Sequence, residues 1–171
     1  TQEKTVSVLK MNRIDRFVTG IYDYSIYTSV FTPTEEVEPT YPLKITMSSQ
    51  DWCGQSFMQL NNAAGFDIML RSYFESEGDT SVHLHYEIAE DNIFNLVRID
   101  TSLLPTGEFD IIPTMSYLRL SHEPLKTYTA NASLANLENQ IVYSYDIPEL
   151  RRGVRLFIDP NDHFQIVRWE E

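Results

Sequence analysis

The sequence predicts an all-β fold: a single antiparallel barrel, half-barrel or strongly curved sheet of about eleven strands, with one short helix near residues 90–98. Three observations carry the prediction. Apolar and polar residues alternate with period two along most of the chain, the pattern of strands with one face buried. Clusters of Gly, Pro, Asn and Asp separate the alternating runs. Ten Tyr and nine Phe accompany many Val, Ile and Thr, the residue types that suit a pleated, half-buried surface.

In chain order, the first strand is expected near "KTVSVLK". Residues 21–31, "IYDYSIYTSVF", place Tyr22, Tyr24, Ile26, Thr28 and Val30 on one face. An acidic segment, "PTEEVEPTYP", is bracketed by prolines and reads as an exposed loop. "GFDIMLRSYF" sets Phe66, Ile68, Leu70, Ser72 and Phe74 against Asp67, Arg71 and Tyr73. In "SVHLHYEI", Val82, Leu84, Tyr86 and Ile88 are expected to be buried, and His83, His85 and Glu87 to face water. "EDNIFNLVRI" is the helical candidate: Ile93, Phe94 and Val97 share a helical face, and Asp91 could cap it. "EFDIIPTMSYLRL" reads as a long strand carrying Pro113 at an edge or bulge. "QIVYSYDI", "GVRLFID" and "HFQIVRW" continue the alternation to the end. Turns fall at Asn61 to Gly65, at Glu77-Gly78-Asp79 (a tight hairpin) and at Asp159-Pro160-Asn161-Asp162. No repeat or long linker divides the chain, so residues 1–171 read as a single domain.

The formal net charge is −12, which disfavours phosphate backbones and anionic membrane surfaces. No apolar run reaches the ~18 residues of a spanning helix. The chain opens on Thr1, so any targeting segment is expected to have been removed. One cysteine cannot form an internal disulfide and gives no evidence about redox compartment.

That cysteine, Cys53, lies in "DWCGQSF". Trp-Cys-Gly resembles the opening of a thioredoxin active site, and Ile112-Pro113-Thr114 resembles the thioredoxin cis-proline loop. The chemistry requires a thiol at the N-terminus of a long helix, where amide dipoles favour thiolate. "QSFMQLNNAAG" is too short for that helix, Ser56 replaces the second cysteine, and the βαβ alternation is missing. Cys53 is therefore expected to be a small, mostly buried side chain near a strand end.

His83, His85 and Glu87 offer imidazole and carboxylate ligands on one strand face, suited to Zn, Mn or Fe. Cupins carry a similar His-x-His followed by Pro-x-Gly, and Pro105-Thr106-Gly107 follows here. The carboxylate comes too early and no matching later His appears, so a wet strand face is the preferred reading and no metal or other cofactor is predicted. Glu75, Glu77 and Asp79 are read as surface acids at a hairpin tip. Ser48, Ser49 and Ser56 lack a nucleophile elbow, and no phosphate-cradling glycine loop is present. Asn131-Ala132-Ser133 matches a glycosylation acceptor. Tyr22, Tyr24 and Tyr27 with Phe31 could line a ligand cavity, or serve as core and cross-strand aromatic pairs, which is preferred.

Taken together, "FVTGIYDYSIYTSVF", "QDWCGQSFMQLN", "RSYFESEGD" and "LLPTG" resemble an uncharacterised family of secreted or lipid-anchored proteins of Bacteroidetes-type bacteria. Some members look as though they inherited a septum-formation-inhibitor (Maf) name. Maf proteins are α/β nucleotide pyrophosphatases with a Ser-x-Ser-x-Arg-Arg motif after the first strand. Here "MNRIDRF" stands in that place and the α/β alternation is absent, so that activity is rejected. The resemblance implies an extracytoplasmic location, in the periplasm or cell envelope.

These readings lead to a non-enzymatic, envelope-associated module without catalytic residues. It binds an apolar or amphipathic small molecule, or an envelope protein, on an aromatic concave face near Tyr22, Tyr24, Trp52 and Cys53. The alternatives are a metal-dependent enzyme using His83, His85 and Glu87, or a purely structural scaffold.

Overall fold

The computed structural model describes residues 5–35 and 41–171. Half of the acidic segment read as an exposed loop, residues 36–40, lies outside the described residues. The chain is mostly strand: two six-stranded sheets, one curled into a half-barrel, with two short helices.

The first sheet is a pure meander of β1 (Val8–Thr19), β2 (Tyr22–Pro33), β3 (Lys44–Gln50), β4 (Gln55–Asn62), β5 (Phe66–Ser72) and β6 (Thr80–Leu84), each antiparallel to the next. β1 and β2 form a hairpin in full register from Val8↔Pro33 to Thr19↔Tyr22. Only Gly20 and Ile21 connect them, and Gly20 takes a φ of +66°, as two-residue hairpin turns with a leading glycine require. The segment "MNRIDRF" therefore continues the first strand, which starts later and runs further than "KTVSVLK" suggests. Alternation in β2 places Ile26, Thr28 and Val30 in the core, as the sequence predicts.

The second sheet has the order β12-β11-β10-β9-β8-β7, from β7 (Ile88–Ala89), β8 (Gly107–Ile112), β9 (Tyr128–Leu137), β10 (Gln140–Ile147), β11 (Arg152–Asp159) and β12 (Gln165–Glu170). One pairing departs from the antiparallel expectation: β7 and β8 are parallel, because α1 (Glu90–Ile99) crosses over between them.

The buried apolar residues of both sheets and both helices form one core cluster. Ile26, Ile45, Leu60 and Ile68 contribute from the first sheet, and Ile111, Tyr143, Ile147 and Leu156 from the second. The inward tyrosines do not strand their hydroxyls: Tyr128 donates to the Pro124 carbonyl and Tyr143 to the Pro105 carbonyl. α1 buries Ile93, Leu96 and Val97, with Phe94 only partly covered. Asp91 is not its cap. The helix starts at Glu90 after an uncapped Ala89, and Asp91 lies inside the first turn.

Three further expectations are corrected. "EFDIIPTMSYLRL" is not one strand: β8 stops at Ile112, and α2 (Met115–Ser121) follows Pro113. The Thr114 side chain accepts from the Tyr117 amide, and Met115 and Leu118, three apart, enter the core. "SVHLHYEI" is likewise broken, because residues 85–87 carry the chain from one sheet to the other. Val82, Leu84 and Ile88 are only half-buried there, and Tyr86 is exposed. Finally, the β5–β6 connection is a seven-residue loop, residues 73–79, rather than a tight hairpin. The Phe74 carbonyl accepts from the Glu77 and Gly78 amides and curls that loop inward. No helix among the described residues is long and apolar enough to cross a membrane.

Candidate functional site: a cleft between two sheet edges

β1 ends one sheet and β12 the other, and residues of both line a single cleft of about 550 Å³. α1 and α2 supply its floor through Glu90, Phe94, Thr114, Ser116 and Tyr117. The sequence prepares this. In β1 the half-buried positions alternate as Leu9, Met11, Arg13 and Asp15, so two charged residues occupy inward positions of an edge strand. Charges pointing inward at a sheet edge discourage further strand pairing. Here they also make one wall of the cleft polar.

A network of buried charge lies beneath. Arg152 donates from Nη1 to Glu90 Oε2 at 2.7 Å and from Nε to Glu171 Oε1 at 2.5 Å. Glu90 also accepts from the Tyr145 hydroxyl at 2.6 Å and from the Thr114 amide at 2.9 Å. The neighbouring Asp91 accepts from the Met115 amide at 2.9 Å. Two consecutive acids of α1 thus satisfy the first amides of α2 and fix the two helices against each other. Arg13 donates to Asp15 at 3.0 Å and to Ser116 Oγ at 2.5 Å, and its Nη2 stands 3.9 Å from Asp91 Oδ1. That oxygen has no hydrogen-bond donor although Asp91 is 2% exposed. Burial, only partly offset by Arg13 and the Met115 amide, pushes the Asp91 carboxyl up to about 6. Burial also works against the Arg152 cation, but hydrogen bonds to Glu90 and Glu171 outweigh it and hold the group charged. Desolvation and the adjacent Glu90 carboxylate raise Tyr145 well above the phenol range, so it serves as a donor.

The upper walls are apolar and aromatic. Phe17 and Trp169 stand exposed at the mouth, Arg152 lies over the Tyr117 ring at 4.5 Å, and Arg13 lies near Phe94 at 5.9 Å. A cleft with apolar walls and a floor of fixed donors and acceptors is built for an amphipathic molecule.

Of the binding residues expected from sequence, Tyr24 alone touches this cleft's wall, stacked on Phe17 at 4.9 Å. Tyr22 meets Trp52 edge-on at 6.0 Å on an exposed patch apart from the cleft. β3 pairs with β2 only as far as Ser25↔Gln50, so Tyr22 overhangs it and Trp52 reaches the overhang from the β3–β4 loop. Tyr27 and Phe31 face outward, beside Arg16 and Lys10. The four aromatics therefore line no common surface.

Cys53 is exposed, which corrects the expectation of a buried thiol. It occupies a four-residue hairpin loop, residues 51–54, between β3 and β4, not a helix start. Asp51 Oδ1 accepts from the Cys53 and Gly54 amides, turning the thiol outward, while the Tyr73 ring lies directly on Gly54. A Cβ at position 54 would stand 2.6 Å from Tyr73 Cγ, so the glycine is required by this stacking. The Tyr73 hydroxyl donates to Asp51, and burial together with that carboxylate pushes the phenol up to about 12.

His83 and His85 are exposed, as expected; His83 pairs with Asp67 at 2.7 Å, and its ring centroid lies 6.5 Å from that of His85. Glu87 lies beyond the end of β6, and His122 is held elsewhere, by Glu77 at 2.5 Å. Among the described residues no three His, Cys, Asp or Glu side chains converge as a metal site. Glu77 is half-buried by its bonds to Ser72 and His122, not a free surface acid.

Sequence reading missed Arg13, Glu90, Asp91, Arg152 and Trp169. The one legible signal was the pair of charges, Arg13 and Asp15, on the inward phase of a strand that otherwise carries Leu9, Met11 and Phe17 there. No family model matches this chain, and no curated protein or solved structure shows significant similarity to it.

Proposed function

We propose that this protein is a non-enzymatic binding module that holds a small amphipathic molecule in the cleft between β1 and β12. The observation that supports it is the cleft itself: about 550 Å³, open between two sheet edges, aromatic above and polar below. Exposed Phe17 and Trp169 at the mouth represent apolar surface that a bound ligand would cover. The buried groups of the floor are tied to one another, which suits a preformed site better than a reacting one. Residence in the periplasm or cell envelope, drawn from the resemblance above, belongs to the same proposal.

The test uses N-phenylnaphthylamine, a neutral dye that brightens in apolar surroundings. One saturable site per chain is expected, weakened about tenfold by the Phe17→Ala, Trp169→Ala double substitution through loss of apolar contact. Both side chains are exposed, so the fold should survive their removal. Non-saturable uptake, or equal affinity in the double variant, would overturn the proposal.

A further inference from the structure

The charge inventory of the cleft deepens that reading, on which this inference rests. Two guanidinium groups, Arg13 and Arg152, face four carboxylates: Asp15, Glu90, Asp91 and Glu171. Among the described residues lining the cleft there is no Lys or His to redress the balance. Both arginines are already committed: Arg13 to Asp15 and Ser116, Arg152 to Glu90 and Glu171. The acceptors are in surplus. Asp15 and Glu171 each receive one guanidinium N–H on one oxygen, and their side chains keep 39% and 49% of their surface exposed, so the other oxygen remains open to a ligand. Asp91 Oδ1, sealed behind Arg13, has no donor at all. An anionic group would have to enter this field against unneutralised carboxylates and compete with them for the same two arginines. A cation meets the opposite situation, with the aromatic side chains of Phe17 and Trp169 lining the cleft and a chain of net charge −12 favouring its approach.

We propose that the polar end of the ligand is a cation, a protonated amine, held against the open carboxylate oxygens of Asp15 and Glu171 with its apolar body along Phe17 and Trp169. The amine donates two or three N–H groups to acceptors that no protein donor fills, and no group on the protein must change protonation for it to bind.

Three probes sharing one body separate this from the cleft reading: phenylbutylamine, phenylbutanol and phenylbutyrate, titrated calorimetrically into the intact protein at neutral pH. The expected order of affinity is amine, alcohol, carboxylate, with the amine ahead of the carboxylate by about tenfold or more. The Asp15→Asn, Glu171→Gln double substitution should abolish the amine's advantage over the alcohol, and a circular-dichroism spectrum matching the parent's shows that the variant is folded. Added salt should weaken the amine only. Equal affinities, a preference for the carboxylate, or an amine advantage that survives the double substitution would overturn the cationic assignment while leaving the cleft standing. Failure of all three probes, together with failure of the neutral dye, would overturn both.

Discussion

Two buried arginines, one packed against the first sheet and one at the start of a strand of the second, are used in opposite ways. Arg119 of α2 enters the first sheet and is sealed there: Nε donates to Ser56 Oγ, the guanidinium lies 4.4 Å from the Phe74 ring centre, and Asp51 stands at 3.7 Å without a direct hydrogen bond. Asp51 is satisfied independently, by the Cys53 and Gly54 amides and the Tyr73 hydroxyl. Arg152 of β11 makes direct bonds to two carboxylates and lies on the wall of an open cleft. The first arrangement closes a hairpin loop over the core. The second concentrates charge where a ligand can reach it. A buried charge pair therefore says little by itself; what matters is whether each partner is satisfied without the other.

That difference predicts unequal costs. Arg152→Met should destabilise by about 3–5 kcal/mol, because Glu90 and Asp91 are left as adjacent buried carboxylates with only Arg13 nearby. Arg119→Met should cost about 1–2 kcal/mol, since methionine can still lie on Phe74 and Asp51 keeps its three donors. Urea unfolding of the two variants checks this, and equal losses would break the comparison.

Asp91 gives the next largest effect, with a sign that can be worked out. Its folded pKa, about 6, lies above the usual aspartate value of 3.8, so the folded chain binds the proton more tightly than the unfolded one. Stability from this group is therefore fully present below pH ~4 and declines as pH rises through ~6. Asp91→Asn removes that dependence and keeps an acceptor for the Met115 amide. The variant should be more stable than the parent at neutral pH, by on the order of 2 kcal/mol, with the gap closing toward pH ~4. A constant difference across that range would show that the orphan carboxylate oxygen is not the cause.

The two regions also differ in what the sequence disclosed. Strands whose faces are simply wet or dry could be read directly: β2 buries Ile26, Thr28 and Val30, and α1 falls within a residue of its expected span. α2 was hidden because its evidence is a seven-residue stretch after Pro113, too short for a helical period to stand out from a strand. The cleft was hidden for another reason. Arg13 meets Ser116 across 103 residues and Arg152 meets Glu90 across 62, and no local pattern encodes that meeting. Cys53 was misplaced because a Cys between Trp and Gly has no periodicity to fix its face; the Asp51 turn and the Tyr73 ring on Gly54, nineteen residues away in sequence, turn it outward.

The smallest effect expected concerns that cysteine, and it isolates what the sealed region uses. The loop over Arg119 is held by the Cys53 backbone amide on Asp51 and by Tyr73 on Gly54, contacts in which the thiol takes no part. Cys53→Ser should therefore leave the urea midpoint unchanged within error, and iodoacetamide should label Cys53 in the folded protein as completely as in the unfolded one. Gly54→Ala tests the same loop through its backbone, since the new methyl must displace the Tyr73 ring and loosen its bond to Asp51. A cost of about 1–3 kcal/mol is expected from such overpacking. A protected thiol, or an alanine tolerated at position 54, would mean that the side chain at position 53 and not the backbone around it holds the loop closed over Arg119.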